Sequence, residues 1–118
     1  MAFDDFDSEE AKKFLFAREQ KEREEKEEAR KKLLKVVILT LQDAFKESSV
    51  EVYVVGSILR PFAFSSSSDV DIVLKNYTGD RFDLWTQLEE KIGRSVEIIP
   101  FETCEFQEFV LKDGLKVN

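Results

Sequence analysis

The chain contains no histidine. That absence removes Ser-His-Asp and Cys-His nucleophilic catalysis, histidine-ligated zinc and imidazole acid–base chemistry. Any reaction must therefore rest on carboxylates, hydroxyls, lysine, arginine or oxygen-bound metal ions. Cysteine is nearly absent as well. A single residue, Cys104, makes no intrachain disulfide, fits a reducing, cytoplasmic setting, and reads as a small side chain beside the core. No apolar run approaches the roughly 18 residues needed to cross a membrane. The acidic start MAFDDFDSEE lacks the basic region of a secretory signal. Glycine and proline are scarce, four and two, and none precedes Gly56.

What is present describes one folded domain. At 118 residues with 42% hydrophobic content and 11 phenylalanines, the chain can bury a core. The net charge of −7 repels nucleic acid unless a local basic patch overrides it. No such patch is visible along the sequence of the folded part, so no direct nucleic-acid binding is expected. A basic protein partner is compatible with the charge.

From a cap at Asp7 or Ser8 to about residue 46, the chain reads as one helical stretch, with Glu9 and Glu10 in its first turn. Residues 17–32 are almost all charged and offer the i,i+4 pairs Glu19–Arg23, Glu22–Lys26, Glu27–Lys31 and Glu28–Lys32. With no apolar stripe, this segment is expected to stand in solvent as an exposed rod. Leu33, Leu34, Val36, Val37, Leu39, Leu41 and Phe45 then return at helical spacing to pack on a sheet. Phe14, Leu15 and Phe16, at the far end, need a fold-back or a partner's surface. These features divide the chain into a helical arm, residues 1–34, and a domain, residues 35–118.

Residues 50–55 form a β-branched run that stops at Gly56-Ser57, where a short helical turn is expected. Residues 65–68 read as a mobile polar loop, and residues 69–74 as a second strand that opens with two acids. Alternation along that strand puts Asp69 and Asp71 on one face and Val70, Ile72 and Leu74 on the other. Asp80 is placed to cap a helix over residues 81–92 whose Phe82, Trp85, Leu88 and Ile92 read as a core stripe, ended by Gly93. A third strand over residues 95–101 can turn Glu97 to the same side as the aspartates, and Pro100 marks it as an edge or a strand end. A helix over residues 103–112 and a short strand over residues 115–118 complete a mixed α/β fold. It is expected as a small mixed sheet with helices on one face and acids on the open side.

Two carboxylates on one strand end can be no more than a solvated polar terminus. They also repel each other unless a cation lies between them, and close oxygen ligands suit Mg²⁺ held together with substrate phosphates. A glycine and a small hydroxyl after a buried strand let backbone N–H groups approach phosphate oxygens. Gly56-Ser57-Ile58-Leu59-Arg60 followed by Ser68-Asp69-Val70-Asp71-Ile72-Val73-Leu74 resembles the signature of the polymerase-β-like nucleotidyltransferases. At this size it is most similar to the minimal nucleotidyltransferases, antitoxins paired with HEPN-domain toxins. Three departures mark the likeness: Pro61 replaces a second glycine, the spacer is one residue longer, and the third acid is Glu97 rather than an aspartate.

The resemblance implies a nucleotidyltransferase fold and transfer of AMP from ATP to a tyrosine hydroxyl of a HEPN ribonuclease toxin. It implies two Mg²⁺ ions held by Asp69, Asp71 and Glu97, and triphosphate contacts from Gly56, Ser57 and Arg60. By spacing alone, Arg60 reads equally as a surface arginine paired with an acid. An alternative reading keeps the fold with weak or no catalysis and neutralises the partner by steric cover, the helical arm serving as a docking element.

Overall fold

The computed structural model describes residues 8–118; the expected Asp7 cap lies outside them. Helix α1 (Ser8–Ala44) runs unbroken for 37 residues because neither glycine nor proline interrupts it. It leads into β1 (Glu51–Val55), a short 3₁₀ turn (Ser57–Leu59) and β2 (Val70–Lys75). Helix α2 (Arg81–Ile92), β3 (Val96–Pro100), a second 3₁₀ turn (Phe101–Thr103), α3 (Gln107–Asp113) and the two-residue β4 (Leu115–Lys116) follow. The strands lie in the order β3-β2-β1-β4. β1 pairs antiparallel with β2 and β4, while β2 and β3 are parallel, α2 providing the crossover that a parallel pair requires.

Alternation sorts the strand residues onto two faces. Val52, Val54, Val70, Ile72, Leu74 and Val96 face α1 and α2, where Val37, Leu41, Leu88 and Ile92 close the main core. Tyr53, Val55 and Val73 face the other way and pack with Phe101 and Val110 in a smaller cluster under α3. The expectation that helices cover a single face is therefore corrected. A short C-terminal helix shields one end of the second face and leaves the other end to the acids.

Local chemistry explains the element ends. The Asp80 carboxylate accepts from the N–H groups of Phe82 and Asp83, and Gly93 closes α2 in the left-handed region at φ 74°. Both sheet edges are blunted. On β3, the Val96 carbonyl accepts the Trp85 indole N–H at 2.7 Å and the Val96 N–H meets Glu89, with Pro100 at the strand's end. On the β4 side, the Asn118 side chain extends the ladder. Its oxygen takes the Val52 N–H and its nitrogen donates to the Val50 carbonyl.

Two further expectations are corrected. Phe82 is 70% exposed and Trp85 38%, so the core stripe of α2 is Leu84, Leu88 and Ile92, while the two aromatics lie against each other on the outside. The exposed rod does not extend over residues 17–32, because Glu27 and Arg30 are buried. Arg30 donates to Glu27 and to the Ile58 carbonyl, and Glu27 accepts the Phe62 N–H at 2.6 Å. Arg23 lies over the Phe62 ring. The helix thus grips the loop after β1 well before residue 35. Among the described residues, the four i,i+4 pairs expected over residues 17–32 do not form; Arg18 pairs with Glu22 and Lys31 with Glu28 on the exposed face, since long solvated side chains gain little from any one geometry.

Candidate functional site

The site is built where β1 ends and β2 and β3 run side by side. In register, Val55 faces Asp71 across the antiparallel pair, and Asp71 faces Glu97 across the parallel pair. Both acids project from the α3 face of the sheet, since their strand neighbours Val70, Ile72 and Val96 are in the main core. Gly56 lies immediately beyond β1 at φ 88°, a conformation that L side chains rarely adopt. A Cβ placed on it would lie 2.6 Å from Asp71 Oδ2. Only glycine lets the backbone come this close to the carboxylate.

The electrostatics are uncompensated. Asp71 is pushed up from its ordinary 3.8 to about 6, first by burial, then by the charge and hydrogen bond of Glu97, and last by the charge of Asp69. Elsewhere on the same face the charges are balanced: Glu51 meets Lys116 at 3.3 Å and Lys75 at 3.5 Å, and Lys116 above all, with Lys75, holds its carboxyl below the usual range. Among the described residues, no lysine or arginine pairs with Asp71 or Glu97. A half-buried carboxylate beside a second one, with no cation of its own, is a seat for positive charge or for a shared proton.

The structure brings Gly56, Asp71 and Glu97 together. It leaves Asp69 exposed just ahead of β2, acting on Asp71 through its charge. Ser57 opens the 3₁₀ turn, half-buried, and the backbone N–H of Arg60 closes it onto the Ser57 carbonyl at 3.0 Å. The Arg60 side chain is exposed and pairs with no acid among the described residues, which leaves it available to an anion. Among the described residues, no three His, Cys, Asp or Glu side chains close into a metal cage. The oxygen donors Asp71 and Glu97, with Asp69 beside them, do fit a divalent cation in the way Mg²⁺ is usually bound, by one or two carboxylates with waters and substrate phosphates completing the set.

The loop between the turn and β2 holds residues that the sequence reading did not pick out. Arg60 to Ala63 is a tight turn closed by the Ala63 N–H on the Arg60 carbonyl, with Pro61 at its second position. Phe62 follows at φ 63°, a position that favours glycine or asparagine. The N–H bond to Glu27 and the Arg23 guanidinium over its ring hold the strained residue in place. Proline instead of a second glycine therefore gives a fixed turn clamped from α1. The signal for this clamp lay in the helix: the stripe Leu41, Val37, Leu34, continued backwards at heptad spacing, lands on Arg30, Glu27 and Arg23.

No protein-family model, curated protein or solved structure matches the chain.

Proposed function

We propose that the chain is a nucleotidyltransferase of the minimal, polymerase-β-like kind. The observation that carries this is the acid pair Asp71–Glu97, without a cation partner among the described residues and with Asp71 pressed against Gly56 at the end of β1. In this reading the backbone at Gly56 and Ser57 receives the β- and γ-phosphates of ATP. Arg60, exposed at the end of the turn, offsets charge on the departing pyrophosphate. An acceptor hydroxyl attacks the α-phosphorus, forming a new P–O bond as the bond to the β-phosphate bridging oxygen breaks. The hydroxyl proton passes to Glu97, which lies at the acid cluster. Asp69, Asp71 and Glu97 would hold Mg²⁺, whose chemistry when bound is to neutralise charge on the attacking and leaving oxygens.

The acceptor that suits so small a domain is a protein hydroxyl. The resemblance points to a tyrosine on a HEPN ribonuclease toxin, silenced by AMP. The test is calorimetry with ATP, with and without Mg²⁺, followed by transfer of labelled ATP to a cognate HEPN protein. Metal-dependent binding that Asp69→Asn with Asp71→Asn abolishes, together with label on the partner, is expected. ATP binding that ignores both metal and mutation would overturn the reading.

A second reading is favoured by one observation. Phe14 and Phe16 are 69% and 63% exposed on the arm, an apolar handle with no role in transfer chemistry. A steric inhibitor that docks through this handle would keep neutralising its partner after both aspartates are removed.

A further inference from the structure

We propose that the cleft between α1 and the loop of residues 62–66 is a second ligand site, which takes a small organic phosphate carrying a flat apolar body. The cavity measures about 460 Å³, within the range of small-molecule sites. It lies on the helix side of the sheet, because its Leu33 and Phe64 pack on the main core, whereas the acid pair lies on the α3 side.

The lining inverts the charge of the molecule. Arg23, Lys26, Arg30 and Arg94 face it, with Glu27 the acid among its lining residues, in a chain whose net charge is −7. Arg30 is spent on Glu27. Among the described residues, Arg23 and Lys26 pair with no carboxylate, although the neighbouring helix surface is rich in glutamate. Arg94 is held by the carbonyls of Ser65 and Ser68 and lies over the Phe64 ring, so its charge is fixed at the cavity wall. Two unneutralised cations at the mouth fit a phosphate. The Phe62 and Phe64 rings, with the Arg23 and Arg94 guanidinium groups over them, fit a flat apolar body.

The cleft also has a route to the turn. Arg30 and Glu27, buried among its lining residues, bind Ile58 and Phe62, which flank residues 59–61.

The probe is AMP, titrated into ¹⁵N-labelled full-length protein in EDTA so that no divalent metal is available to the acid site. Saturable amide shifts are expected at Lys26, residues 63–66 and Arg94, with a Kd below about 1 mM. Arg23→Glu with Lys26→Glu, both at exposed positions, is expected to weaken binding by about tenfold or more, while Asp71→Asn leaves it unchanged. The neutral pair Arg23→Gln with Lys26→Gln serves if charge reversal disturbs the fold. Inorganic phosphate is expected to bind more weakly than AMP. Equal binding of phosphate would overturn the assignment of a flat apolar body. Shifts confined to Gly56, Asp71 and Glu97, or binding lost in Asp71→Asn and kept in the charge variants, would overturn the site, as would no shift at about 5 mM AMP.

Discussion

A methyl group on Gly56 would meet Asp71 Oδ2 at 2.6 Å while forcing a side chain into φ 88°. Two penalties fall on one substitution, and Gly56→Ala should destabilise the fold by about 1–3 kcal/mol, read as a lower urea midpoint at unchanged slope. Asp71 itself is destabilising when ionised. Its carboxyl titrates near 6 in the folded state against 3.8 in the ordinary case, so the folded protein binds more protons between these values. Its contribution to stability therefore falls as pH rises from about 4 to 6 and stays low above that. Asp71→Asn should abolish the proposed transfer yet raise stability at pH 7 by about 1 kcal/mol, allowing for solvent screening of a half-exposed group. In thermal melts the variant's advantage should be small near pH 4, grow towards pH 6 and then level off. A variant less stable than the wild type at pH 7 would show that the acid pair is compensated.

At the level of elements, the turn after β1 is as rigid as its clamp. Glu27→Ala removes the acceptor of the Phe62 N–H and frees Arg30 from its pair. Amide exchange at Phe62 should quicken by about tenfold or more while β1 and β2 stay protected, a local opening in place of global unfolding. On the opposite edge, Trp85→Phe removes the indole donor to the Val96 carbonyl and should cost about 1 kcal/mol. The strands, the Asp80 cap and the Gly93 stop were legible because period-two alternation and cap chemistry are local signals. Within the acid site, Asp71, Glu97 and Gly56 were legible for the same reason, since strand parity and a strand-ending glycine fix their face and place. The Glu27–Arg30 clamp was not, because charged side chains on a heptad stripe read as solvated until a loop covers them. Phe82 and Trp85 misled for the converse reason: a helix with apolar residues on two adjoining faces does not say which one meets the sheet. α3 is too short for its periodicity to reveal a second packed face.

The whole molecule is a small domain with a long lever. Its extents are 70 × 29 × 20 Å and its radius of gyration is 19.7 Å, against about 13.5 Å for a compact chain of this length. The lever accounts for the excess, since residues 8–26 of α1 are exposed apart from the half-buried Ala11, while burial begins at Glu27. An exposed helical segment contributes little to stability, and among the described residues nothing covers Phe14 or Phe16. Deleting residues 1–22 should thus leave the melting temperature within about 2 °C of the full chain and bring the radius of gyration in solution down towards about 14 Å. Deleting residues 1–30 removes the Glu27–Arg30 clamp as well and should lower the melting temperature sharply, with the loss centred on the loop after β1. The shorter truncation also separates the two functional readings. An enzyme that meets its acceptor at the acid face keeps Mg²⁺-dependent ATP binding and modifies the partner more slowly. A steric inhibitor that docks through the phenylalanine handle loses the partner outright, although its nucleotide site is untouched. Pull-down of a cognate HEPN protein by the truncated chain, scored beside labelled-ATP transfer, decides between them.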